Sequence, residues 1–349
     1  MVVLKDIKTT PRERRASAQS PGVNQPNAAV DASLPEGIDK YVALFRTAQA
    51  GATTLSAARL RSDMNARAFD APPACPMETF TTFIVREGRE IGVKIYHPGT
   101  DTARPGICYF HGGGFAFGSL ETFDSVASGL AEETGAVVAS VEYRRLPESS
   151  YNDAQDDCYE ALCWLHRHTG ELNIDASRLA VAGDSVGALL ATTAAMQARD
   201  RKGPPLACQL LLYGAFALEP GRPAYAQSRD PLLTSDKVEG FIELYHRTLD
   251  KDSGLTPPLS ATDLSALPPA LILAAERDPL RDEAFEYAER LNAAGVAATV
   301  RAAPGMVHGF LRARAMSPAA AKELNGLAAT ARPYLWPERQ PRTKEDNSR

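Results

Sequence analysis

The feature that most constrains the fold is a regular alternation of short apolar segments with amphipathic segments from residue 106 onward. Short apolar runs that end at turn residues are typical of buried strands, and the segments between them have a helical period. Strands that alternate with helices predict an α/β fold with a mostly parallel sheet and helices on both of its faces. The predicted strands are 106–110, 136–142, 178–183, 209–214, 270–276 and 298–303. The predicted helices are 120–134, 153–168, 186–199, 282–294 and 318–334.

The segments before residue 106 have a different pattern. Residues 80–86 and 90–97 are rich in β-branched and aromatic residues, and a Glu-Gly-Arg turn between them predicts a hairpin. This hairpin brings the predicted sheet to eight strands. Residues 38–70 have the period of two short amphipathic helices, and a proline cluster follows at 72, 73 and 76.

The interval between residues 214 and 270 interrupts the alternation, and only 235–248 in it has a helical period. Such a long insertion beside a sheet is typical of a lid. We therefore expect a disordered tail at 1–35, cap helices at 36–76 and a catalytic domain at 77–336 with a cap insertion at about 215–258. A second disordered tail is expected at 337–349.

Charge and composition exclude several classes of protein. The net charge is −5, and basic residues form no stripe interleaved with aromatic residues, so nucleic acid is not expected as a partner. No apolar run approaches the roughly 18 residues of a membrane span. The five cysteines include no Cys-x-x-Cys pair, which argues against a disulfide framework or a zinc site. Because residues 1–20 also lack the apolar core of a secretory signal, we expect a cytoplasmic protein.

The strongest chemical signal is Gly183-Asp-Ser185-Val-Gly187, which lies between a predicted strand and a helix rich in small residues. This is the pattern of a nucleophile elbow, in which a sharp turn exposes a serine hydroxyl at the carboxyl edge of the sheet. By chance alone the bare pattern is common, so its position between strand and helix carries the argument. Ser185 is therefore the candidate nucleophile.

A second signal is His111-Gly-Gly-Gly-Phe115, directly after the strand at 106–110. Consecutive glycines let several backbone N–H groups point into one small space, as an oxyanion requires. A phosphate-binding loop uses glycines in the same way, but the chain has no Gly-x-Gly-x-x-Gly here and no Lys-Ser/Thr after the glycines. The loop therefore favours an oxyanion hole.

A serine nucleophile needs a base, and histidine is the usual one. His308 is favoured because its loop directly follows the last predicted strand, where the base belongs if the chain order is nucleophile, acid and base. The other histidines have ordinary places in a helix, at a strand end or in the glycine loop: His97, His111, His166, His168 and His246.

The acid is then expected between Ser185 and His308, after another strand. Asp278 lies in the turn that follows the predicted strand 270–276. Asp282 is the alternative, although it begins the next helix together with Glu283, where the helix dipole explains both residues.

Together these motifs resemble the bacterial branch of the hormone-sensitive-lipase-like α/β-hydrolases, over about residues 80–334. The matching segments are His111-Gly-Gly-Gly-Phe115, Val141-Glu-Tyr-Arg144 with Pro147-Glu148, Gly183-Asp-Ser-Val-Gly187, Asp278-Pro-Leu-Arg-Asp-Glu283 and His308-Gly-Phe310. The resemblance implies a Ser185–His308–Asp278 triad, a cap built from the N-terminal helices and the insertion, and esterase activity. It also places the oxyanion hole on the N–H groups of Gly113, Gly114 and Val186.

The chain departs from the family pattern in two of these motifs, and residues 1–35 match no part of the pattern. Val186-Gly187-Ala188-Leu189 stands where the family usually has Ala-Gly-Gly-Asn, and the branched side chain of Val186 would narrow the acyl site if it points there. Arg145 is an additional arginine in the segment that usually reads Tyr-Arg-Leu-Ala-Pro-Glu, which affects how that loop packs.

The sequence therefore predicts a serine carboxylic-ester hydrolase that acts on short- to medium-chain acyl esters and needs no cofactor or metal. Phe115, Phe117 and Phe310 flank the motifs and are expected to line an apolar substrate pocket, with plain core packing as the alternative reading. A metabolite-specific deacetylase, lactonase or amidase is an alternative with the same triad. A ligand receptor is the alternative from another class, because the plant gibberellin receptors resemble this family but have lost the histidine that this chain keeps. The expected partner is a small-molecule ester, and a homodimer stays open.

Overall fold

The computed structural model describes residues 34–70, 75–99 and 102–338. Most of the two predicted tails, and the prolines at 72 and 73, lie outside these residues. Within the described part, no helix combines the length and the apolar character needed to cross a membrane.

One eight-stranded sheet runs through the molecule, in the strand order β1-β2-β4-β3-β5-β6-β7-β8. Strands β1 and β2 form the predicted hairpin, β2 pairs antiparallel with β4, and the other neighbours are parallel. The predicted strands are confirmed with small changes at their ends, the largest being that β5 begins at Ile174. The strands are β1 Glu78–Arg86, β2 Arg89–His97, β3 Arg104–Phe110, β4 Val137–Glu142, β5 Ile174–Asp184, β6 Cys208–Leu212, β7 Ala270–Ala275 and β8 Ala298–Ala303.

The helices agree with the sequence periodicity except within the insertion. There, a one-turn helix and two 3₁₀ turns accompany the expected helix, because a single turn that begins at a proline is too short to show a period. The helices are α1 Ile38–Gln49, α2 Leu55–Met64, α3 Asp124–Thr134, α4 Tyr151–Arg167, α5 Val186–Asp200, α6 Pro223–Gln227, α7 Ser235–Thr248, α8 Arg281–Ala293 and α9 Pro318–Leu335.

The sheet separates two hydrophobic cores. One face of the sheet packs on α4, α5 and α8, and residues such as Val181 and Leu189 are buried there. The other face packs on α3 and α9, and Tyr109 and Leu324 are buried there. Because the central strands are covered on both faces, the loops at their carboxyl ends meet at one edge of the sheet, where the motifs lie.

Candidate active site

Ser185 lies at a sharp turn between the last residue of β5 and the first residue of α5, with φ 56° and ψ −124°. A Cβ on Gly183 would lie 2.1 Å from the carbonyl oxygen of Gly187, and a Cβ on Gly187 would lie 2.0 Å from that of Phe110. Both glycines of the motif are therefore required by close backbone contacts. The predicted elbow has the expected geometry, with a serine held in a rarely populated conformation.

Three loops bring the predicted polar residues together. The Nε2 atom of His308 lies 2.9 Å from the Ser185 hydroxyl oxygen, and its Nδ1 atom lies 2.6 Å from a carboxylate oxygen of Asp278. Asp282, the alternative acid, is exposed and bonds the neighbouring Arg281 instead. The contacts therefore run from the Ser185 hydroxyl to His308 and from His308 to Asp278. This is the arrangement that a serine nucleophile, its base and an orienting acid require.

The surroundings of His308 favour its charged form. Burial opposes the charge, but Asp278, through its charge and its hydrogen bond, together with Asp230 and Asp184 raises the pKa of His308 above its ordinary value. A positive charge on the His308 ring is thus stabilised at this position.

The glycine loop after β3 adopts conformations that favour glycine. Gly113 and Gly114 have φ values of 120° and 60°. The buried carboxylate of Asp184 accepts hydrogen bonds from the Tyr109 hydroxyl at 2.6 Å and from the Gly112 N–H at 2.7 Å. Burial, which outweighs these hydrogen bonds, raises the pKa of Asp184 to about 6. The loop is therefore fixed to Asp184, the residue that precedes Ser185.

His111 has a structural role in this loop. Its ring is stacked against Phe123 and Tyr143, with centroids 5.6 and 4.4 Å away, and its Nδ1 atom lies 2.8 Å from the Gly112 carbonyl oxygen. Complete burial lowers the pKa of His111 to about 4. Neutral and enclosed, it organises the loop, as the sequence predicts.

Arg145, the additional arginine, supports the far end of the same loop. Its guanidinium donates to the Gly118 carbonyl oxygen at 2.7 Å and pairs with Glu142 at 3.5 Å. The departure from the family pattern therefore adds a contact that holds the loop, and it lies outside the serine, histidine and acid chain.

Comparison with known proteins now decides the family. The profile of a family described as alpha/beta hydrolase fold matches residues 107–312, which include the glycine loop, the elbow and the histidine loop. This chain is an α/β-hydrolase. The carboxylesterase NlhH of Mycobacterium tuberculosis is 42% identical over 250 residues, covering 70% of this chain and 78% of that protein. The ethyl acetate hydrolase of Pseudomonas putida is 33% identical over 298 residues, covering 80% of this chain and 92% of that protein.

Solved structures of esterases also superpose on this chain. A thermostable esterase from Pseudomonas putida ECU1011 superposes with a TM-score of 0.75 at 31% identity, covering 84% of this chain and 96% of that one. The hyperthermophilic esterase of Pyrobaculum calidifontis superposes with a TM-score of 0.74 at 33% identity, covering 82% and 96%. The predicted family, the α/β-hydrolase fold and the enzyme class of carboxylesterase are therefore confirmed.

The α/β-hydrolase has a cavity of about 710 Å³ next to the elbow. Ser185, His308, Gly113 and Gly114 line it. Residues of α1 and α7 also line it, so the N-terminal helices and the insertion together cover the site. Aromatic members of this lining, such as Phe45 and Phe241, were not singled out from the sequence, although the amphipathic periods of their helices could have indicated them.

The three predicted pocket phenylalanines have different environments. Phe117 lines the cavity of the α/β-hydrolase, in agreement with the prediction. Phe115 is buried against Tyr151, with ring centroids 5.7 Å apart, and Phe310 is buried against Tyr213 at 5.5 Å. For these two residues the structure corrects the expectation of a pocket position and favours the core-packing alternative. Val186 is also completely buried and is not a cavity residue, so its branched side chain does not narrow the cavity.

Sequence reasoning missed Asp230, which lies in the insertion of the α/β-hydrolase. One carboxylate oxygen accepts the backbone N–H of His308, and the other accepts those of Leu232 and Leu233 at 2.8 and 2.9 Å. Burial, together with the charge of Asp278, raises the pKa of Asp230. A carboxylate from the cap thus holds the histidine loop, and no local pattern in the sequence indicates it.

Proposed function

We propose that this ester hydrolase works through a Ser185–His308–Asp278 triad and acts on short- to medium-chain acyl esters. The observation that carries the proposal is the position of the His308 ring, with one nitrogen at the serine hydroxyl and the other at the Asp278 carboxylate. In the first step, Ser185 attacks the ester carbonyl while the Nε2 atom of His308 takes its proton. Asp278 accepts the Nδ1 proton in a hydrogen bond and stabilises the cationic ring.

The negative charge on the carbonyl oxygen requires donors that are already oriented. The N–H groups of Gly113, Gly114 and Val186 are the proposed donors, and none of them donates to an acceptor within the described residues. Val186 is the first residue of α5, so the positive end of the helix dipole also lies beside the oxyanion. These features support a preformed oxyanion hole.

The acyl-enzyme then forms and breaks in balanced steps. His308 gives its proton to the leaving alcohol oxygen as the carbonyl reforms, and Ser185 keeps the acyl group. His308 next takes a proton from a water molecule that attacks the acyl carbonyl, and returns it to the serine oxygen as the acid is released. The cavity lining includes Phe117 and Phe241, which suits the apolar part of an acyl chain of moderate length.

Hydrolysis of p-nitrophenyl esters from acetate to dodecanoate tests the proposal. Wild type should be fastest on short and medium chains, and Ser185→Ala should lose at least about 10⁴-fold in kcat. Ser177→Ala is the matched control, because Ser177 is exposed near the opposite end of β5 and should leave kcat unchanged.

Labelling by a serine-directed phosphonate separates the alternatives. A wild type that is labelled but inactive on every aryl ester would favour the deacetylase, lactonase or amidase alternative. A wild type that is neither labelled nor active would contradict the triad and favour a binding protein.

Two further predictions concern the whole protein. A homodimer stays a prediction that light scattering would check. A cytoplasmic location stays a prediction that rests on the sequence and is compatible with five free thiols. Localisation of a tagged protein would test it.

A further inference from the structure

The catalytic cavity contains an arginine without an acidic partner. Arg312 lies four residues after His308 in the 3₁₀ helix Phe310–Ala313, and it belongs to the cavity lining although only 4% of it is exposed. Within the described residues, no carboxylate pairs with its guanidinium, and its buried Nε atom has no hydrogen-bond partner. Charged side chains are rarely buried in this way unless they are paired.

Three aromatic rings surround the guanidinium. Its central carbon lies 4.4 Å from the ring centroid of Phe69, 5.2 Å from that of Phe123 and 5.9 Å from that of Phe45. Phe45 and Phe123 also line the cavity. Cation–π contacts offset part of the cost of burying the charge. A hydrogen bond between the guanidinium and the Tyr41 hydroxyl uses one of its donors, and the Nε donor stays without a partner.

Arg314, two residues further on, shows what a structural arginine does in the same segment. It pairs with Glu132 at 3.1 Å and donates to the Ser125 carbonyl oxygen at 2.6 Å and to the Ser128 hydroxyl at 3.2 Å. Its donors are therefore directed to protein acceptors. Arg312 has no carboxylate partner among the described residues and bonds the Tyr41 hydroxyl, so donors are left for a group that enters the cavity.

The two buried acids near the cavity, Asp184 and Asp230, do not serve as the acidic partner of Arg312. Burial raises the pKa of Asp184, and the charge of Arg312 offsets only part of this rise; that carboxylate is already bonded to Tyr109 and Gly112. Asp230 is bonded to three backbone N–H groups.

The other charged residues of the cavity lining belong to the cap. Lys237 lies 5.8 Å from the same Phe45 ring and donates to the Leu232 carbonyl oxygen. Asp236 and Glu243 are exposed, and Glu239 accepts the N–H of Gly221. Arg312 thus differs from these groups in being buried as well as lacking an acidic partner.

We infer that Arg312 is an anion subsite and that the preferred substrate is an ester that also carries a carboxylate. The inference rests on the proposed function, because the carboxylate would occupy the same cavity in which Ser185 attacks the ester. A carboxylate matches the two-pronged geometry of a guanidinium and would supply the missing partner in a partly dry site. An uncharged ester would leave the buried cation unpaired.

A series of dicarboxylic acid esters tests this subsite. The ratio of kcat/KM for the monomethyl ester to that for the dimethyl ester is measured from succinate to suberate, so that chain length is matched. In wild type we expect this ratio to be about ten at the chain length that lets the carboxylate reach Arg312, because one charge-assisted pair can supply a preference of this size. Arg312→Met should remove this preference, whatever happens to the rate on the dimethyl ester. Arg46→Met is the control, because Arg46 also lines the cavity but is exposed, and it should change the ratio less.

A second measurement needs no variant. Free adipate should inhibit hydrolysis of a neutral ester competitively in wild type, and the uncharged adipamide should not. The inference is wrong if wild type prefers the dimethyl ester at every length, if Arg312→Met lowers both rates equally, or if adipate does not compete. Failure of the proposed function has a different result, because wild type would then neither hydrolyse the dimethyl esters nor react with the phosphonate.

Discussion

The catalytic loops and the cap that covers them are held in place by different means. Ser185, Asp278 and His308 lie in turns and loops that follow the parallel strands β5, β7 and β8. Backbone hydrogen bonds join these loops, such as that from the Arg277 N–H to the Met306 carbonyl oxygen at 3.0 Å. Helix α2 of the cap is largely exposed, with Leu60 and Met64 exposed by 60% and 72%. The comparison teaches that the sheet holds Ser185, Asp278 and His308 in place, whereas α2 is held less firmly over the cavity.

Polar side chains add specific connections between the cap and the rest of the molecule. Arg59 of α2 donates to the carbonyl oxygens of Ala116 at 2.6 Å and Leu146 at 2.8 Å, and it pairs with Glu148. Asp230 connects the insertion to the histidine loop. Glu283 does the same for the start of the insertion, because its buried carboxylate accepts the N–H groups of Phe216 and Ala217 at 2.7 and 2.8 Å. The sequence offered the helix dipole as the explanation for Glu283. In the structure, its main interactions are these hydrogen bonds to the insertion.

The largest expected effect is on the sheet side. Asp278→Asn should lower kcat by about 10⁴-fold, because an amide leaves the His308 ring without its acceptor and in the wrong tautomer. Steady-state kinetics on a short-chain ester check this. Asp282→Asn is the matched control, because Asp282 is exposed and should change kcat by less than about twofold. The reverse result would make Asp282 the acid.

The oxyanion loop should give the next largest effect. In Gly113→Ala, the new Cβ would lie 2.2 Å from the Phe117 carbonyl oxygen at a φ of 120°, so the loop must move. We expect kcat to fall by about 10²- to 10³-fold, the usual cost of losing an oxyanion donor. Gly88→Ala is the control, because its φ is also positive but a Cβ there meets open space. A Gly113→Ala enzyme with normal kcat would contradict the proposed oxyanion hole.

A substitution at Asp230 tests whether the insertion affects the pKa of His308. His308 must be neutral to accept a proton, so kcat/KM should fall as the pH drops through its raised pKa. Asp230→Asn removes a negative charge that raises this pKa, so the acidic limb of the profile should move to lower pH. Above the limb, kcat/KM should fall by about tenfold, because the imidazolium that forms in the transition state loses a stabilising charge.

Ser228→Ala is the control for this prediction. It removes hydrogen bonds from the same segment, to the Arg277 carbonyl oxygen and from the Asp230 N–H, without a change of charge. The acidic limb should then stay in place. If the acidic limb does not move in Asp230→Asn, Asp230 has only a structural role and does not affect the pKa of His308.

The smallest effect is expected for the exposed side of the cap. Arg59→Met should raise KM by only a few-fold with little change in kcat, because the helix that it attaches covers the cavity but does not carry the chemistry. Glu148→Gln should have a still smaller effect, because Glu148 is the exposed partner of the pair and such pairs contribute little. A large loss of kcat in Arg59→Met would instead mean that the cap also fixes the oxyanion loop.

Much of the fold could be predicted because its signals are local. The alternation of apolar and amphipathic segments indicated six strands, and the runs of β-branched and aromatic residues before residue 106 indicated the other two. The order of elbow, acid turn and histidine loop indicated one edge of the sheet. The small errors have local reasons as well, such as the one-turn helix α6, which has no period to detect. Phe115 and Phe310 were assigned to the pocket from proximity in sequence, but a side chain next to a functional residue can equally point into the core.

The sequence by itself determined the α/β-hydrolase fold, the elbow at Ser185, the glycine loop and the histidine loop, because each depends on residues close together in the chain. Only the tertiary structure brought Asp230 to the backbone of His308, Arg145 to Gly118, and Arg312 into a cage of rings from α1, the loop before α3 and the 3₁₀ turn Ala66–Phe69. The physical reason is that these contacts join residues far apart in the chain. Their burial and charge environment follow from packing that no local pattern encodes.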